Sequence, residues 1–422
     1  MKRACFFAAI VSAVVLIAGC RPQKPDEETG AGRNRRILLT VLAGQSTSDP
    51  GIEEMISEVV ERELPDVELF WEQMDWGEQF QEQMKNRFAA GEIPDIMIGK
   101  AQDVSGYAMT GNLAPFSEQM TSLIRRDALQ AVTRDGVTFG IPFNAFYQGI
   151  LYNQEIFERY RLPVPATREE LRRNVEILEK NDITPFAAHF EETWYTANIF
   201  MQLAIGEVFG ENVDWGDRFR AGDESFRTSP AMIDCLRSIE YVLEHSWTEV
   251  LTFDQTTSDE RFARGQAAMY PTGSWSLQTI ALVNPDLNLG IFPYPNRNGD
   301  AKLIREPNLT FMKSAVTSHP DAVDQVLRVI VSDHDLAFRI FDYTKTASLL
   351  KGVEPEHPLP IQPDIDEYLG SESVIDANRG NAQLIWGYQE SLAEKIVAWL
   401  RGEADIDEVL EYADANRTLS AP

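Results

Sequence analysis

The fold class is decided by the stretch 37-ILLTVLAGQSTSDPGIEEMISEVVERELPDVELFWEQMDWGEQFQEQMKNRFAAGEIPDIMIG-99. It opens on a continuous apolar run over 37–42, which is typical of a strand buried on both faces. Apolar side chains then recur at three- and four-residue steps from Ile52 to Leu64, which predicts one face of a helix. Strands and helices that alternate in this way predict an α/β fold with a parallel sheet and right-handed crossovers. The elements predicted next are a strand over 67–71, a helix over 76–90 and a strand over 95–98.

Polar side chains follow each of these three predicted strands. In open α/β sheets ligands bind beyond the carboxyl ends of the strands, so we expect these loops at the binding site. Ordinary loops between strands and helices are polar as well. The location of the binding site is therefore better predicted than the individual residues that form it. The candidates are Gln45, Ser46, Asp75, Trp76, Lys100, Gln102 and Asp103.

The rest of the chain continues to alternate between strand-like and helical patterns. The segment GIPFNAFYQGILYN (140–153) is strand-like from Ile141 to Tyr152, and Thr167 with Glu170 has the spacing of a capping box at a helix start. The pattern over 287–304 predicts a strand, a turn and a returning strand. Further helices are predicted over 320–331, 382–400 and 406–415.

The first twenty residues predict export. Lys2 and Arg3 precede an apolar run, Phe6–Ile17, which is too short for a bilayer span of about 20 residues. The run ends in LIAGC, which resembles a bacterial lipobox cut before Cys20; the alternative is an ordinary signal peptide in which Cys20 is incidental. We expect a signal peptide over 1–19, a lipid on Cys20, a flexible tether over 20–36 and an extracytoplasmic, membrane-anchored protein.

Charge and cysteine content exclude several classes of partner and site. The chain has 66 acidic and 38 basic residues and a net charge of −28, which disfavours nucleic acid as a partner but identifies no ligand. Of its three cysteines, Cys5 leaves with the signal and Cys20 is lipidated, so Cys235 has no disulfide partner and cannot form a cysteine-based zinc site. Cys235 lies among apolar residues at helical spacing and is predicted to be buried. We expect no cofactor and no metal.

An exported carbohydrate-active enzyme is the main alternative function. Such an enzyme needs two carboxylates flanking a cleft, and no pair stands out among the acidic residues. The sequence has no His-Glu-x-x-His motif, no Gly-x-Ser-x-Gly motif and no phosphate-binding glycine loop. His189 has Glu191 and Glu192 nearby, but we interpret it as a loop histidine near the edge of a cleft. These observations favour a binding protein over an enzyme.

Three segments resemble one family, the extracellular solute-binding proteins of ABC sugar importers. RFAAGEIPDIMIGKAQDVSGYAMTGNLAPF (87–116) resembles the family pattern F-x-x-G-x-x-P-D-I…G-x-L-x-P. DGVTFGIPFNAFYQGILYNQEIFERYRLPVPATREEL (135–171) resembles G-K-x-Y-x-I-P…x-Y-N-K-x-L-F…P-x-T-W-E-E. RFARGQAAMYPTGSWS (261–276) resembles F-x-x-G-K-A-A-M-x-x-x-G-x-W. Each piece alone is weak evidence, but all three occur in the family's order behind a lipobox.

The resemblance implies a two-lobed periplasmic-binding-protein fold of the type II kind, with C-terminal helices and a ligand cleft between the lobes. The N-terminal lobe is expected over 37–143 plus about 307–342, and the C-terminal lobe over 144–306 plus about 343–422. The implied ligand is a carbohydrate, and the implied partners are the transmembrane subunits of an ABC permease, with the binding protein itself a monomer. A membrane sensor could take the place of the permease, and a peptide or polyamine could take the place of the sugar.

The resemblance also places residues in the cleft. The 100–103 loop corresponds to a polar ligand loop, although Gly99 and Gln102–Asp103 depart from maltodextrin-binding members, so that sugar is not implied. Flat aromatic rings cover the apolar faces of a pyranose, and planar polar groups bond its hydroxyls. Trp275 has a rival role as a plug of the hinge between the lobes. The further positions that correspond to hinge or ligand residues are Asn144, Tyr147, Trp194, Tyr195, Trp275 and Trp386.

Overall fold

The computed structural model describes residues 36–44, 49–74 and 78–420. The predicted signal peptide, Cys20, the tether up to residue 35 and the candidates Gln45, Ser46, Asp75 and Trp76 lie outside the described residues. From the start to the middle of the chain the elements are β1 (Ile37–Gly44), α1 (Pro50–Glu63), β2 (Val67–Met74), α2 (Glu78–Ala90), β3 (Ile96–Gly99), α3 (Ala101–Met109), β4 (Leu113–Ala114), α4 (Glu118–Thr121), β5 (Thr133–Arg134), β6 (Val137–Thr138), β7 (Gly140–Pro142), β8 (Asn144–Asn153), α5 (Gln154–Tyr160), α6 (Arg168–Glu179), α7 (Thr193–Ala204) and α8 (Trp215–Ala221).

The second half of the chain is also mixed but richer in helix. Its elements are α9 (Pro230–Glu244), α10 (Gln255–Ala263), β9 (Met269–Gly273), α11 (Leu277–Val283), β10 (Leu289–Phe292), β11 (Leu303–Pro307), β12 (Thr310–Ser314), α12 (Pro320–Ser332), α13 (His334–Thr344), β13 (Ala347–Ser348), α14 (Gln362–Gly370), β14 (Val374–Asp376), α15 (Asn378–Asn381), α16 (Trp386–Leu400) and α17 (Ile406–Ala415). The predicted α/β class, with two lobes and C-terminal helices, is confirmed.

The first lobe is built on the parallel sheet that the opening stretch predicts. β1 pairs in parallel with both β2 and β3, and β12 joins the far side of β3 in the antiparallel direction. Leu39 and Val41 on one face of β1 pack in a core with Ile56 of α1, whereas Leu42 on the other face packs in a core with Met97 and Val104. From Val41 onward β1 is buried on both faces, which explains the unbroken apolar sequence there, whereas Leu38 near its start is exposed.

The second lobe is built around the ten-residue strand β8. β9 and β13 pair with one edge of β8, and β10 and β11 pair one after the other with the opposite edge. The two strands predicted over 287–304 therefore form, but the prediction of a returning pair is wrong, because both run antiparallel to β8 rather than to each other. A Cβ atom at Gly149 would lie 2.4 Å from the Phe292 carbonyl oxygen, so the close approach of β10 requires glycine there.

Helix boundaries follow the sequence signals closely. The capping box at α6 is present, since Glu170 N donates to Thr167 Oγ1 (3.3 Å) and Thr167 N donates to Glu170 Oε2 (3.1 Å). The last predicted helix is α17, while the one predicted from residue 382 begins at Trp386. Cys235 is buried in α9, as predicted. Across the described ranges, none of the helices combines the length and the apolar content that a bilayer crossing requires.

Asn144 joins the chain crossings between the two lobes. It is fully buried where β7 of the first sheet leads into β8 of the second. Its Oδ1 accepts a hydrogen bond from Leu309 N (2.9 Å), at the return crossing between β11 and β12. Its Nδ2 donates to Thr346 Oγ1 (2.9 Å), next to β13. One side chain thus holds three distant stretches of chain together where the chain passes between the two sheets.

Candidate functional site

A cavity of about 420 Å³ lies where the carboxyl end of β3 faces the second lobe. The first lobe contributes the start of α3 to its wall, and β8, β11 and the helices of the second lobe contribute most of the rest. The wall combines indole rings with side-chain amides and three charged groups. Its lining residues are Lys100, Gln102, Phe146, Gln148, Trp194, Asn198, Met201, Ile205, Gln255, Trp275, Glu306, Asn308, Ala377, Asn381, Trp386, Gln389 and Glu390.

Five of the described candidates line this cavity, namely Lys100, Gln102, Trp194, Trp275 and Trp386. The other four do not, and each has a structural contact instead. Asn144 lies at the start of β8, where the chain passes between the sheets. The remaining three, Asp103, Tyr147 and Tyr195, are buried next to lining residues. Their contribution to binding stays a prediction.

Asp103 shapes the first-lobe loop from within. It lies in the first turn of α3, where its Oδ2 accepts a hydrogen bond from Lys100 N (3.2 Å). This contact closes the turn between β3 and α3, because a carboxylate at the third helical position satisfies a donor that the helix leaves unpaired. The side chains of Lys100 and Gln102 are thereby held at the cavity while Asp103 is turned away from it.

The Trp275 ring forms one wall of the cavity and lies directly over Gly273. A Cβ atom at Gly273 would lie 2.1 Å from Cζ3 of that ring, so the glycine two residues before the tryptophan makes room for it. The ring meets Phe146 edge-on, with 5.8 Å between centroids, and Trp194 at 6.3 Å. Among the described residues, the buried Nε1 of Trp275 has no hydrogen-bond partner.

Trp194 lies in the first turn of α7 and is supported from behind by a buried histidine. His189, predicted at a cleft edge, is fully buried, with its ring centroid 5.2 Å from that of Trp194. Its Nδ1 lies 3.0 Å from Glu192 Oε2, but burial outweighs this carboxylate and lowers the pKa of His189, which favours the neutral ring. Tyr195 is also buried, and its hydroxyl donates to the Pro271 carbonyl oxygen (2.9 Å).

Strand alternation explains why Tyr147 misses the cavity. Successive side chains of β8 point to opposite faces, so Phe146 and Gln148 reach the cavity and Tyr147 points away from it. Tyr147 is buried near Arg305, and burial raises the pKa of its hydroxyl to about 12. The same alternation, counted from Asn144, indicates positions 146 and 148 as the candidates on that face of the strand.

A chain of polar contacts crosses the cavity wall from the first lobe into the second. Lys100 Nζ lies 2.6 Å from Glu306 Oε1, and Glu306 Oε2 accepts a hydrogen bond from Gln148 Nε2. Gln148 Oε1 in turn accepts from Asn198 Nδ2 (3.4 Å). The carboxyl and amide groups therefore have defined orientations, because each is hydrogen-bonded to its neighbour before any ligand is bound.

A second polar contact joins the lobes farther along the wall. Asn381 Nδ2 donates to Gln102 Oε1, and Asn381 Oδ1 accepts from Gln389 Nε2 (2.8 Å). Neither Asn381 nor Gln389 was predicted, and neither was Glu306. No local pattern marks these three residues, because the lobes bring them to Gln102 and Lys100 across some 200 to 290 positions of sequence.

Gln255 is held at the cavity by two acidic residues. Its backbone N donates to Glu192 Oε2 (2.6 Å), and its Nε2 donates to Asp259 Oδ2 (3.2 Å). Asp259 is fully buried, and this burial raises the pKa of its carboxyl group to about 7. The arrangement leaves the Gln255 carbonyl oxygen as an acceptor at the cavity.

The wall is suited to a ligand with apolar faces and a polar rim. Indole rings can cover apolar C–H faces, and amide groups can exchange hydrogen bonds with hydroxyls. Over the described part of the chain, no group of three or more His, Cys, Asp and Glu residues is arranged to hold a metal ion.

Comparison with known proteins identifies a family of binding proteins that matches this chain. The family model described as bacterial extracellular solute-binding protein matches residues 43–334. A multiple sugar-binding protein of Streptococcus mutans is 24% identical over 367 residues, which cover 83% of each chain. The maltodextrin-binding protein MdxE of Bacillus subtilis is 23% identical over 322 residues, 69% of this chain and 74% of that protein.

Solved structures show the same fold. The binding protein RafE in complex with raffinose superposes with a TM-score of 0.75 at 19% identity, covering 92% of this chain and all of that one, 100%. A binding protein of Bacillus subtilis described as MsmE, in an open conformation, gives a TM-score of 0.79 at 16% identity over 92% of this chain and 98% of that one. At such identities the likeness concerns the fold alone.

Proposed function

Because this chain belongs to the family of bacterial extracellular solute-binding proteins, we propose that it binds a carbohydrate between its two lobes and delivers it unchanged to an ABC permease. The observation that carries the proposal is the wall of three indoles, from Trp194, Trp275 and Trp386, set among side-chain amides. The names of the similar proteins, which include multiple sugar-binding and maltodextrin-binding proteins, support the same ligand class.

The energetics of the wall fit a sugar. Burial of apolar surface contributes about 25 cal/mol per Å², so a pyranose face gains affinity in proportion to the apolar area that the rings cover. Discrimination comes from the polar groups, because a buried donor or acceptor left without a partner costs about 1–3 kcal/mol. The Nε1 of Trp275 and the Oδ1 of Asn308 are two such groups, buried without partners among the described residues.

We propose the lobe boundaries given by the resemblance, at about 143–144, 306–307 and 342–343. Sheet membership supports them, since β1, β2, β3, β4, β7 and β12 form one sheet and β8, β9, β10, β11, β13 and β14 form the other. The ligand cavity lies where the chain passes between the sheets, so rotation of one lobe about Asn144 would open and close it.

We propose that the mature chain is a monomer and that a lipid on Cys20 holds it on the outside of the cell membrane. The apolar run before LIAGC supports cleavage and lipidation at that position. An anchored binding protein stays within reach of the permease after it releases its ligand. The acidic composition does not oppose this location, because the anchor is the lipid and not the protein surface.

The proposal is tested by calorimetry on the purified chain from residue 21 onward, titrated with raffinose, methyl maltotrioside and methyl chitobioside. A specific ligand should give saturable heat and should raise the melting temperature. At 100 times its dissociation constant it adds about 2.7 kcal/mol to the free energy of unfolding. Chromatography after prolonged incubation should return the sugar intact. Hydrolysed sugar would support the enzyme alternative, and no binding by any sugar would refute the proposed ligand class.

A further inference from the structure

Glu306 is a carboxylate of the cavity wall whose position is fixed by two contacts. It is 7% exposed near the end of β11, and its two oxygens meet Lys100 Nζ and Gln148 Nε2. Lys100 comes from the loop between β3 and α3 in the first sheet, whereas β11 belongs to the second. The pair is thus an ion pair between lobes that also lines the ligand cavity.

We propose that the Lys100–Glu306 pair restricts the cavity to uncharged sugars, with Glu306 as the residue that excludes uronic acids. This inference rests on the proposed function, since it concerns which sugars the same cavity accepts. It assigns a specificity role to a residue that the sequence patterns do not mark.

The physical reason is charge balance in a site that is partly shielded from water. The side chain of Lys100 is 22% exposed, and its ammonium group is the one cationic group among the lining residues of the described chain. Glu306 neutralises the ammonium group at 2.6 Å, so a ligand carboxylate at this place would meet no net positive charge and would lie close to the carboxylate of Glu306. A uronic acid would add a third carboxylate to a wall that already contains Glu306 and Glu390, and like charges at short range repel strongly there.

Uncharged sugars meet no such conflict. The neutral polar groups of the wall include the amides of Gln102, Gln148, Asn198 and Gln389, each of which can exchange a hydrogen bond with a hydroxyl. The pair itself remains useful to a neutral ligand, because its ammonium and carboxylate groups can donate to and accept from adjacent hydroxyls without either charge being uncovered.

Arg305, the residue before Glu306 on β11, provides a control for a purely structural role of the Lys100–Glu306 pair. Arg305 alternates with Glu306 along β11, so it points to the opposite face of the sheet, where it lines a second cavity of about 590 Å³. Arg305 is 4% exposed, with Nη1 2.5 Å from Asp127 Oδ2 and Nε 2.7 Å from Asp376 Oδ1. Asp127 belongs to the first-lobe segment, so β11 carries a second ion pair between lobes that does not touch the ligand cavity.

The experiment compares Glu306→Gln with the matched control Asp127→Asn. Each substitution converts the carboxylate of an interlobe ion pair into an amide. Calorimetry measures the dissociation constants of raffinose and methyl maltotrioside and of the same sugars after oxidation of their primary alcohols to carboxylates. Glu306→Gln should lower the ratio of the oxidised-sugar constant to the neutral-sugar constant at least tenfold, and Asp127→Asn should leave it within twofold of the wild-type value.

A second variant keeps the test open if Glu306→Gln does not fold, as judged by its melting curve. Lys100→Gln leaves the carboxylate without its cation, so it should shift preference toward cationic, deacetylated methyl chitobioside over the acetylated form by at least tenfold. An unchanged ratio in the folded Glu306→Gln or Lys100→Gln protein, or an equal shift in Asp127→Asn, would overturn the inference. If wild-type protein binds none of the neutral sugars, the proposed function itself fails and the inference falls with it.

Discussion

Gly273→Ala tests whether the position of one indole ring governs ligand affinity. The backbone of Gly273 is extended, with φ −125° and ψ 172°, so alanine is compatible with it, and the nearest obstacle is the ring of Trp275. The added Cβ atom would lie 2.1 Å from Cζ3 and 2.4 Å from Cε3 of that ring. Carbon atoms in contact lie about 3.5–4.0 Å apart, so the ring must move by more than about 1 Å.

Such a displacement should weaken binding without unfolding the protein. Phe146 and Trp194 pack against the ring at 5.8 and 6.3 Å between centroids, so it has little room to move away from the cavity wall it forms. We expect a loss of about 1.5–3 kcal/mol of binding free energy, comparable with an aromatic contact and the apolar area it covers, which corresponds to roughly ten- to a hundredfold in the dissociation constant.

The assay is calorimetry with the sugar identified for the wild-type protein, with Gly387→Ala as the matched control. A Cβ atom at Gly387 would meet no atom within 4 Å, although this residue is adjacent to the lining residue Trp386. Trp275→Ala should weaken binding at least tenfold, and Gly273→Ala should cost nothing further in that background, because the clashing ring is then gone. Equal costs of Gly273→Ala with and without the ring would refute the reasoning.

Three further predictions concern stability and location. Asp259→Asn should abolish a pH dependence of wild-type stability: since burial raises the folded-state pKa of this acid to about 7, its contribution is complete below about pH 4 and is lost as the pH rises through 7, by up to about 3 kcal/mol between pH 5 and 8. Parallel urea titrations at the two pH values measure this, and equal pH slopes for variant and wild type would contradict it. Asn144→Ala should lower the free energy of unfolding by about 2–3 kcal/mol, because it leaves the Leu309 N–H buried without an acceptor; an unchanged urea midpoint would show that the hinge does not depend on this side chain. Cys20→Ala should move the protein from the membrane to the soluble extracytoplasmic fraction on immunoblots, and its retention in the membrane fraction would exclude the lipid anchor.

Periodicity predicted the local elements well because it depends on neighbouring residues. The apolar run at 37–42 and the helical spacing from Ile52 to Leu64 correspond to β1 and α1, and the parallel pairing follows from their alternation with β2 and β3. The strand-like pattern over 287–304 predicted two strands correctly but their pairing wrongly. Pairing depended on the length of β8, a strand more than 130 residues earlier, which accommodates both along one edge.

The candidate site also contains residues that the sequence predicted correctly and residues that it placed wrongly. The indoles Trp194, Trp275 and Trp386 were accessible to sequence reasoning because local motifs and the family resemblance mark them, and the structure brings them to one cavity. Tyr147 was placed on the ligand side although strand alternation gives that side to Phe146 and Gln148. Tyr195 was paired with its neighbour Trp194, but successive residues of a helix point in different directions, and its ring is buried in the second-lobe core.

The sequence alone predicts an α/β protein with candidate ligand loops at the ends of parallel strands, because hydrophobic spacing and turn residues act within about ten positions of each other. Only the tertiary structure decided that Lys100 meets Glu306 and that Gln102 meets Asn381. Those contacts exist because two independently packed sheets face each other across the crossings held by Asn144. Charge and amide groups that carry no pattern in the sequence acquire their partners, and therefore their chemistry, when the lobes come together.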